Sequence, residues 1–240
     1  MEQADRIQLT EKITAHLCRM GAGRVWRPVA GPYGHVLNCG SGPDLTAMSA
    51  YVAGVDFAGK TVLDLGANLG LFTFMACRGG ATWALGLDSD PDAVAGARML
   101  AELHGLPNAR FEVRDFLADE SIPRADLVLV IDFIGRGVIV KSRLDTVLDA
   151  AVRLSRKEIF FTLRPEYPLS ELRAPDHFLK RTYGRFIRDG RFYLAEHVAA
   201  RLGAGWSATV LSRLCVEGKT LKTGVLFTRA EASDSGPVQE

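Results

Sequence analysis

The chain has 240 residues, 48% hydrophobic and 24% charged, and its 29 basic and 28 acidic side chains leave a formal net charge of +1. This length and apolar content suit one large domain with appendages, and so even a balance leaves any nucleic-acid contact to a local patch rather than a global field. No segment runs apolar for the roughly 18 residues a membrane helix needs, and the opening "MEQADRIQLTEKITAHLCRMG" lacks the apolar core of a secretory leader, so a cytoplasmic protein without a membrane partner is expected.

From about Ala4 to Met20, Ile7, Leu9, Ile13 and Leu17 fall close to helical spacing, and "GAG" at Gly21 to Gly23 ends the run, predicting a leading helix. Val25 to Met48 is rich in Gly, Pro, Trp, Tyr and His, a texture of irregular or short-strand structure that folds over a site. Cys18, Cys39, Cys77 and Cys215 form no C-x-x-C pair, so reduced thiols are expected. His16 with Cys18 and His35 with Cys39 resemble a zinc set only in composition, because the first two point to opposite sides of a helix; no metal is expected.

From Lys60 the chain alternates short apolar runs with longer amphipathic ones. "TVLDLG", "TWALGLDSD", "ARFEVRDF", "ADLVLVIDF" and "EIFFTLR" read as strands, interleaved with helices at "LGLFTFMACRGG", "PDAVAGARMLAELHGL" and "SRLDTVLDAAVRLSR". Near-continuous Val, Leu, Ile and Phe means both sheet faces are covered. Beyond Pro165 a helix at "FYLAEHVAARLGAGW" precedes "SATVLSRLCVEG" and "KTGVLFTRA", a closing antiparallel pair. The fold expected is α/β: a doubly wound, mostly parallel seven-stranded sheet with that closing pair and an appended N-terminal helix. The divisions are residues 1–59 for the helix and pocket-covering segment, 60–230 for the Rossmann-like domain, and 231–240, "EASDSGPVQE", as a disordered tail.

The stretch "TVLDLGANLGLFTFMA", Thr61–Ala76, is the first strand-to-helix turn, where an open α/β sheet binds its ligand. Gly66 and Gly70 would let a ligand approach the main chain without meeting a Cβ atom. The turn lacks the G-x-G-x-x-G of dinucleotide binders, and Asp64 two residues before the first glycine suits a cationic amine better than a pyrophosphate. S-adenosylmethionine has that ammonium group and no phosphate. Asp88, ending "GLD", is placed to accept both ribose hydroxyls, while Asp115 and Phe116 offer an acceptor and an apolar face to adenine. Asp90 or Asp92 would cap the following helix.

The motifs "VLDLGANLGLF", "GLDSDPDAVAGARMLAELHGLPNARFEVRDF" and "DLVLVIDF" together resemble the class I S-adenosylmethionine-dependent methyltransferases, in order and spacing, from about Lys60 to Ala230. The "GANLG" form is similar to that of FkbM-type sugar O-methyltransferases and of some relatives of the tRNA wobble-uridine carboxymethyltransferases. The resemblance implies that Asp64, Gly66, Asn68 and Gly70 hold the methionyl end of the cofactor, Asp88 its ribose and Asp115 with Phe116 its adenine, and that Asp132 and Phe133 flank the methyl-transfer centre.

Methyl transfer requires placement and water exclusion more than an elaborate catalytic set. Asp132 is the best placed acid or base, with His35 and His177 as further candidates, each with the plain alternative of a loop histidine. The chain reads Asp132-Phe133-Ile134-Gly135 where nitrogen methylation would show N-P-P-Y, which favours oxygen. In "DHFLKRTYGRFIRDGRF", Arg181, Arg185 and Arg188 repeat at helical spacing opposite Leu179, Tyr183 and Phe186; solvated arginines over packed aromatics is the favoured reading, RNA binding the alternative. The expectation is a methyltransferase with a small-molecule acceptor. An RNA-modifying enzyme, a non-catalytic binding module and an NAD-dependent reductase are the competitors, in that order.

Overall fold

The computed structural model describes residues 2–21, 23–41, 50, 52–216 and 219–230. The 231–240 tail, the 42–49 part of the pocket-covering segment and the turn around "EGK" lie outside these residues.

Seven strands form the main sheet: β3 (Thr61–Leu65), β4 (Trp83–Asp88), β5 (Ala109–Val113), β6 (Ala125–Val130), β7 (Ser155–Leu163), β11 (Trp206–Val216) and β12 (Lys219–Arg229). Their spatial order is β11-β12-β7-β6-β3-β4-β5, with β3 to β7 parallel and β12 antiparallel to both its neighbours. The expected closing pair is present, but the last strand slots inside the sheet and leaves β11 at the edge. An antiparallel β12 starts where the parallel strands end, so its first residues reach the ligand-binding edge.

Side chains alternate across each strand, as the pleat requires. On β6, Leu127 and Leu129 join one core while Val128 and Val130 join the other. The first core is closed by α1 (Gln3–Met20), α2 (Leu71–Arg78) and α3 (Pro91–His104); the second by α5 (Leu144–Leu154) and α8 (Leu194–Leu202). On α5, Leu144, Val147, Leu148, Ala151 and Leu154 are all buried, one apolar stripe at i, i+3, i+4 and i+7. α3 opens on Pro91 behind Asp90, whose carboxylate accepts from the amides of Asp92 (3.0 Å) and Ala93 (3.4 Å), and it ends at Gly105 with φ +63°.

α1 is not a loose appendage. Ile13, Leu17 and Met20 enter the first core, and His16 donates from Nε2 to the Asp92 carbonyl at 2.8 Å. Ile7, expected on the buried face, is 55% exposed because the packed stripe runs through residues 13 to 20 instead. After α1, residues 23–41 include a hairpin of β1 (Val29–Ala30) and β2 (Val36–Asn38), and we call this stretch the strap.

Between β7 and α8 come β8 (Tyr167–Pro168), α6 (Leu169–Leu172), α7 (Asp176–Tyr183), a 3₁₀ turn at Gly184–Phe186, β9 (Ile187–Arg188) and β10 (Arg191–Phe192). The helical spacing of Arg181, Arg185 and Arg188 therefore does not describe one face: the helix stops at Tyr183, and Gly190 with φ +68° turns β9 back onto β10. α4 (Arg136–Val140) follows the end of β6.

Two glycines with positive φ differ in what surrounds them. A Cβ on Gly70 (φ +85°) would lie 2.5 Å from the Phe111 ring, whereas one on Gly59 (φ +69°) would meet nothing within 4 Å. Gly59→Ala should cost about 1 kcal/mol from backbone strain alone, and Gly70→Ala about 3 kcal/mol because overpacking adds to it. Denaturant unfolding of the two variants reads this directly, and equal losses would show that Gly70 is needed for its conformation only.

Candidate active site at the carboxyl edge of the sheet

The β3–α2 turn threads three left-handed residues, Gly66 (φ +75°), Asn68 (φ +48°) and Gly70 (φ +85°), between strand and helix. Asparagine is among the few side chains that tolerate this conformation. Its amide N–H donates to Asp88 Oδ2 at 2.8 Å, and its side-chain Nδ2 donates to the Arg24 carbonyl at 3.2 Å. Asp88 also accepts the Asp90 amide on Oδ1 at 2.9 Å. One carboxylate thus joins the turn after β3 to the turn after β4, and one asparagine joins both to the strap.

A cavity of about 1050 Å³ opens over this edge. Gly66, Asn68, Asp88, Asp132 and Phe133 line it, together with Trp26, Arg27 and Val29 of the strap side and Phe72, Phe74 and Leu100 of α2 and α3. This volume is at the upper end of what small-molecule sites reach, with room for a cofactor and an acceptor.

Other expected residues lie outside its wall. Asp64 is 2% exposed and turned into the core, where Thr73 Oγ1 donates to it at 2.7 Å; burial pushes its pKa up to about 6 against the pull of Thr73, with the nearby Asp88 charge adding to the rise. The charge argument that set Asp64 against a pyrophosphate therefore fails on geometry. Gly70 serves the packing of Phe111 rather than a ligand. Asp115 is exposed and accepts the Leu117 amide at 3.0 Å, closing its own turn. Phe116 is buried edge-on against Phe133, centroids 5.1 Å apart. Phe133 separates the main cavity from one of about 330 Å³ lined by Leu117, Gly135 and Val138, on the side where adenine was expected. His35 is exposed on the strap, its ring against Gly31, and His177 is exposed on the first turn of α7.

Asp132 is the most constrained group. Its φ is +53°, its amide donates to Thr162 Oγ1 at 2.7 Å, and its carboxylate is gripped by Arg27 and Lys222 together. Burial alone would raise its pKa, but Lys222 and Arg27 outweigh that and hold the carboxylate below its ordinary range. A clamped, ionised carboxylate is a poor proton acceptor, which argues against Asp132 as a general base in this arrangement.

Arg24, Arg27, Arg78, His104 and Lys222 were not singled out from the sequence. Arg24 pairs with Asp90 (2.5 Å) and Asp92 (2.9 Å), and the Arg24 contact draws the Asp90 pKa down. Arg78 donates to His104 Nδ1 at 3.0 Å, so the ring proton is on Nε2, which donates to the Ala30 carbonyl at 3.0 Å. Burial and then Arg78 lower the His104 pKa, keeping it neutral and fastening the strap to α3. In the basic segment beyond β7, Arg188 pairs with Glu196 and sits 3.7 Å over the Tyr193 ring and Arg191 pairs with Glu166 at 2.6 Å, while Arg181 and Arg185 are exposed. No helix among the described residues is long and apolar enough to cross a membrane, and no group of three metal-ligating side chains is found among them.

A family model described as a methyltransferase domain matches residues 56–209. Among curated proteins, the ribosomal protein L11 methyltransferase of Enterobacter sp. (strain 638) is 29% identical over 167 residues, 58% of this chain and 55% of that protein. The chain spans only about a third to a half of the length of the curated relatives it matches. Among solved structures, the N-terminal domain of EvdMO1, crystallised in the presence of SAH and D-fucose, superposes with a TM-score of 0.61 at 21% identity, covering 95% of this chain and 97% of that one. Magnesium protoporphyrin IX methyltransferase (ChlM) from Synechocystis PCC 6803 with bound SAH gives a TM-score of 0.53 at 17% identity, covering 77% and 81%. At these identities the structures speak for the fold.

The buried Asp64 makes a prediction about stability. Its folded pKa of about 6 lies above the ordinary 3.8, so its contribution is fully present below pH 3.8 and is lost as pH rises through 6. At about 1.4 kcal/mol per pKa unit the loss is on the order of 3 kcal/mol. Asp64→Asn, which keeps the Thr73 contact and cannot ionise, should gain on the wild type by that amount between pH 4 and 7.5 in denaturant titrations. Parallel stability curves would show that Asp64 is not buried as a charge at neutral pH.

Proposed function

The chain belongs to this methyltransferase-domain family, whose members use S-adenosylmethionine, and from that premise we propose that it transfers a methyl group to oxygen of a small-molecule acceptor. The observation that carries the reading is the Asp88 carboxylate at the end of β4, lining a cavity beside the left-handed Gly66-Ala67-Asn68 turn. The residues fit the cofactor. A Cβ on Gly66 would lie 2.7 Å from the Phe133 ring, so glycine there lets that ring close against the turn and form the cavity wall. Asp88 would accept from ribose hydroxyls with the lone pairs its two amide contacts leave free.

When bound, S-adenosylmethionine supplies a methyl group on an already activated sulfonium. The chain's part is to hold and orient. Gly66 and Asn68 would flank the methionyl end, and Asp64 would act from behind, fixing α2 through Thr73 so that the turn keeps its shape. Asp132 and Phe133 would border the transfer centre. Phe116 and Asp115 would reach adenine only if the Phe133 ring turned aside, which makes that ring the boundary of the nucleoside site. The strap would exclude water from above, fastened by Arg24 to Asp90 and Asp92 and by His104 to Ala30. Among the described residues, His35 packs on Gly31 and His177 is exposed on α7, and neither lines the cavity. The segment after β7 favours a small acceptor over RNA because Arg188 and Arg191 are ion-paired and the helix stops at Tyr183, so its arginines form no single basic face.

Calorimetric titration with S-adenosylmethionine, S-adenosylhomocysteine and NADH in parallel tests the reading. Both adenosyl compounds should bind and NADH should not; Asp88→Ala should weaken the first two by about 1–3 kcal/mol through lost charge-assisted hydrogen bonds. Absence of binding by both adenosyl compounds would leave a methyltransferase-fold module without turnover, and unchanged affinity in the variant would remove Asp88 from the site.

A further inference from the structure

The charged groups over the β4 and β6 ends of the main cavity separate by sign, while a further lining cation, Arg78, stands apart beside His104 at the ends of α2 and α3. Over β4 stand Asp88, Asp90 and Asp92 with the single guanidinium of Arg24 among them. Over β6 stand Arg27 and Lys222 with the single carboxylate of Asp132. β3 lies between these strands, so the two poles are about 10 Å apart at ~4.8 Å per strand. The acidic pole complements a ligand carrying ammonium and sulfonium groups, whereas the basic pole has one positive charge in excess and faces the same space.

Both cations have donors to spare. Among the described residues Arg27 gives a hydrogen bond only to Asp132, out of five guanidinium N–H groups, and Lys222 likewise only to Asp132. Their side chains are 18% and 37% exposed, partly desolvated and open to the cavity. Trp26, 60% exposed, stands in the same wall and presents a flat ring face. At the basic pole no described lining residue is free to take a proton, since Asp132 is clamped; elsewhere in the lining His104 uses both nitrogens, Asp90 is held by Arg24, and the spare lone pairs of Asp88 belong to the acidic pole.

We propose that the acceptor is an organic acid on a ring scaffold, its carboxylate seated on Arg27 and Lys222 and its ring against Trp26, and that this carboxylate oxygen is the atom methylated. The proposal rests on the methyltransferase reading above. A lone pair of the carboxylate forms the new C–O bond as the C–S bond breaks, the electron pair of that bond stays on sulfur, and no proton leaves. A basic pole without a free base beside it suits such a nucleophile. The excess positive charge also binds the acceptor before transfer more strongly than the neutral ester after it.

The test uses the full chain, first titrated with S-adenosylhomocysteine and then, saturated with it, with 4-hydroxybenzoate, 4-hydroxybenzamide and phenyl phosphate. The benzoate should bind at least about tenfold more tightly than the amide and the phosphate, and Lys222→Gln and Arg27→Gln should each remove about tenfold of its affinity. Arg188→Gln, outside the cavity, should not. Both cavity variants should change S-adenosylhomocysteine affinity less than threefold; a loss as large as that for the benzoate would assign the basic pole to the cofactor's own carboxylate and overturn the proposal. Equal binding of acid and amide, or preference for the phosphate, would overturn it too. With methyl-labelled S-adenosylmethionine, 4-hydroxybenzoate should yield an alkali-labile methyl ester. Alkali-stable label on the phenol, or none from a compound that binds, would sink the ester step. Failure of S-adenosylhomocysteine to bind would strike the underlying reading instead, while benzoate binding to the free protein would still report the pole.

Discussion

The Asp88 carboxylate is the joint on which the site depends. By accepting the amides of Asn68 and Asp90 it fixes the turn after β3 to the turn after β4, the two places where the backbone leaves the sheet for a helix. Each of those amides would otherwise lack an intrahelical partner, since neither belongs to a helix interior. With the turns fixed, Asn68 can reach the Arg24 carbonyl, and the strap is located over the same edge. The order of dependence runs from one carboxylate to two turns, and from two turns to the roof.

Around that joint the electrostatics divide the labour. Carboxylates gather where β4 ends and cations where β6 ends, and the sheet order keeps them apart. Such an arrangement costs desolvation at both poles and is sustained by pairing within each: Arg24 with Asp90 and Asp92, Asp132 with Arg27 and Lys222. The left-handed φ of Asp132 belongs to the same picture, because the Thr162 hydroxyl and two cations hold a backbone conformation that aspartate adopts at some cost.

Much of the fold was legible in the sequence because the physics is local there. The near-continuous apolar strands, the Pro91 start behind Asp90 and the glycines that end the first and the last helix read directly, and so did the closing antiparallel pair. The reasons attached to individual site residues were less legible. Gly70 looked like room for a ligand, yet it is room for Phe111; Asp64 looked like a carboxylate for a cationic amine, yet it is buried among β3 neighbours that are buried on both faces. Both depend on what packs behind the turn, from residues 41 and nine positions away. Arg27 and Lys222 could not be found at all, since 195 positions separate them and only the antiparallel insertion of β12 brings the second to Asp132. The basic run after Tyr183 misled for a local reason: helical spacing continued after Gly184 while the backbone did not.

The stretch shared with the methyltransferase family is residues 56–209, and Trp26, Arg27 and Lys222 all fall outside it, one group before and one after. Only Asp132, which they grip, is inside. The inherited segment therefore carries the turns proposed to hold the donor, whereas the groups proposed to seat the acceptor come from flanks tied back to that segment through Arg24 on Asp90 and Asp92 and through Arg27 and Lys222 on Asp132. Likeness to a relative within the shared stretch says little about what the two proteins modify; likeness at the flanks would say much more.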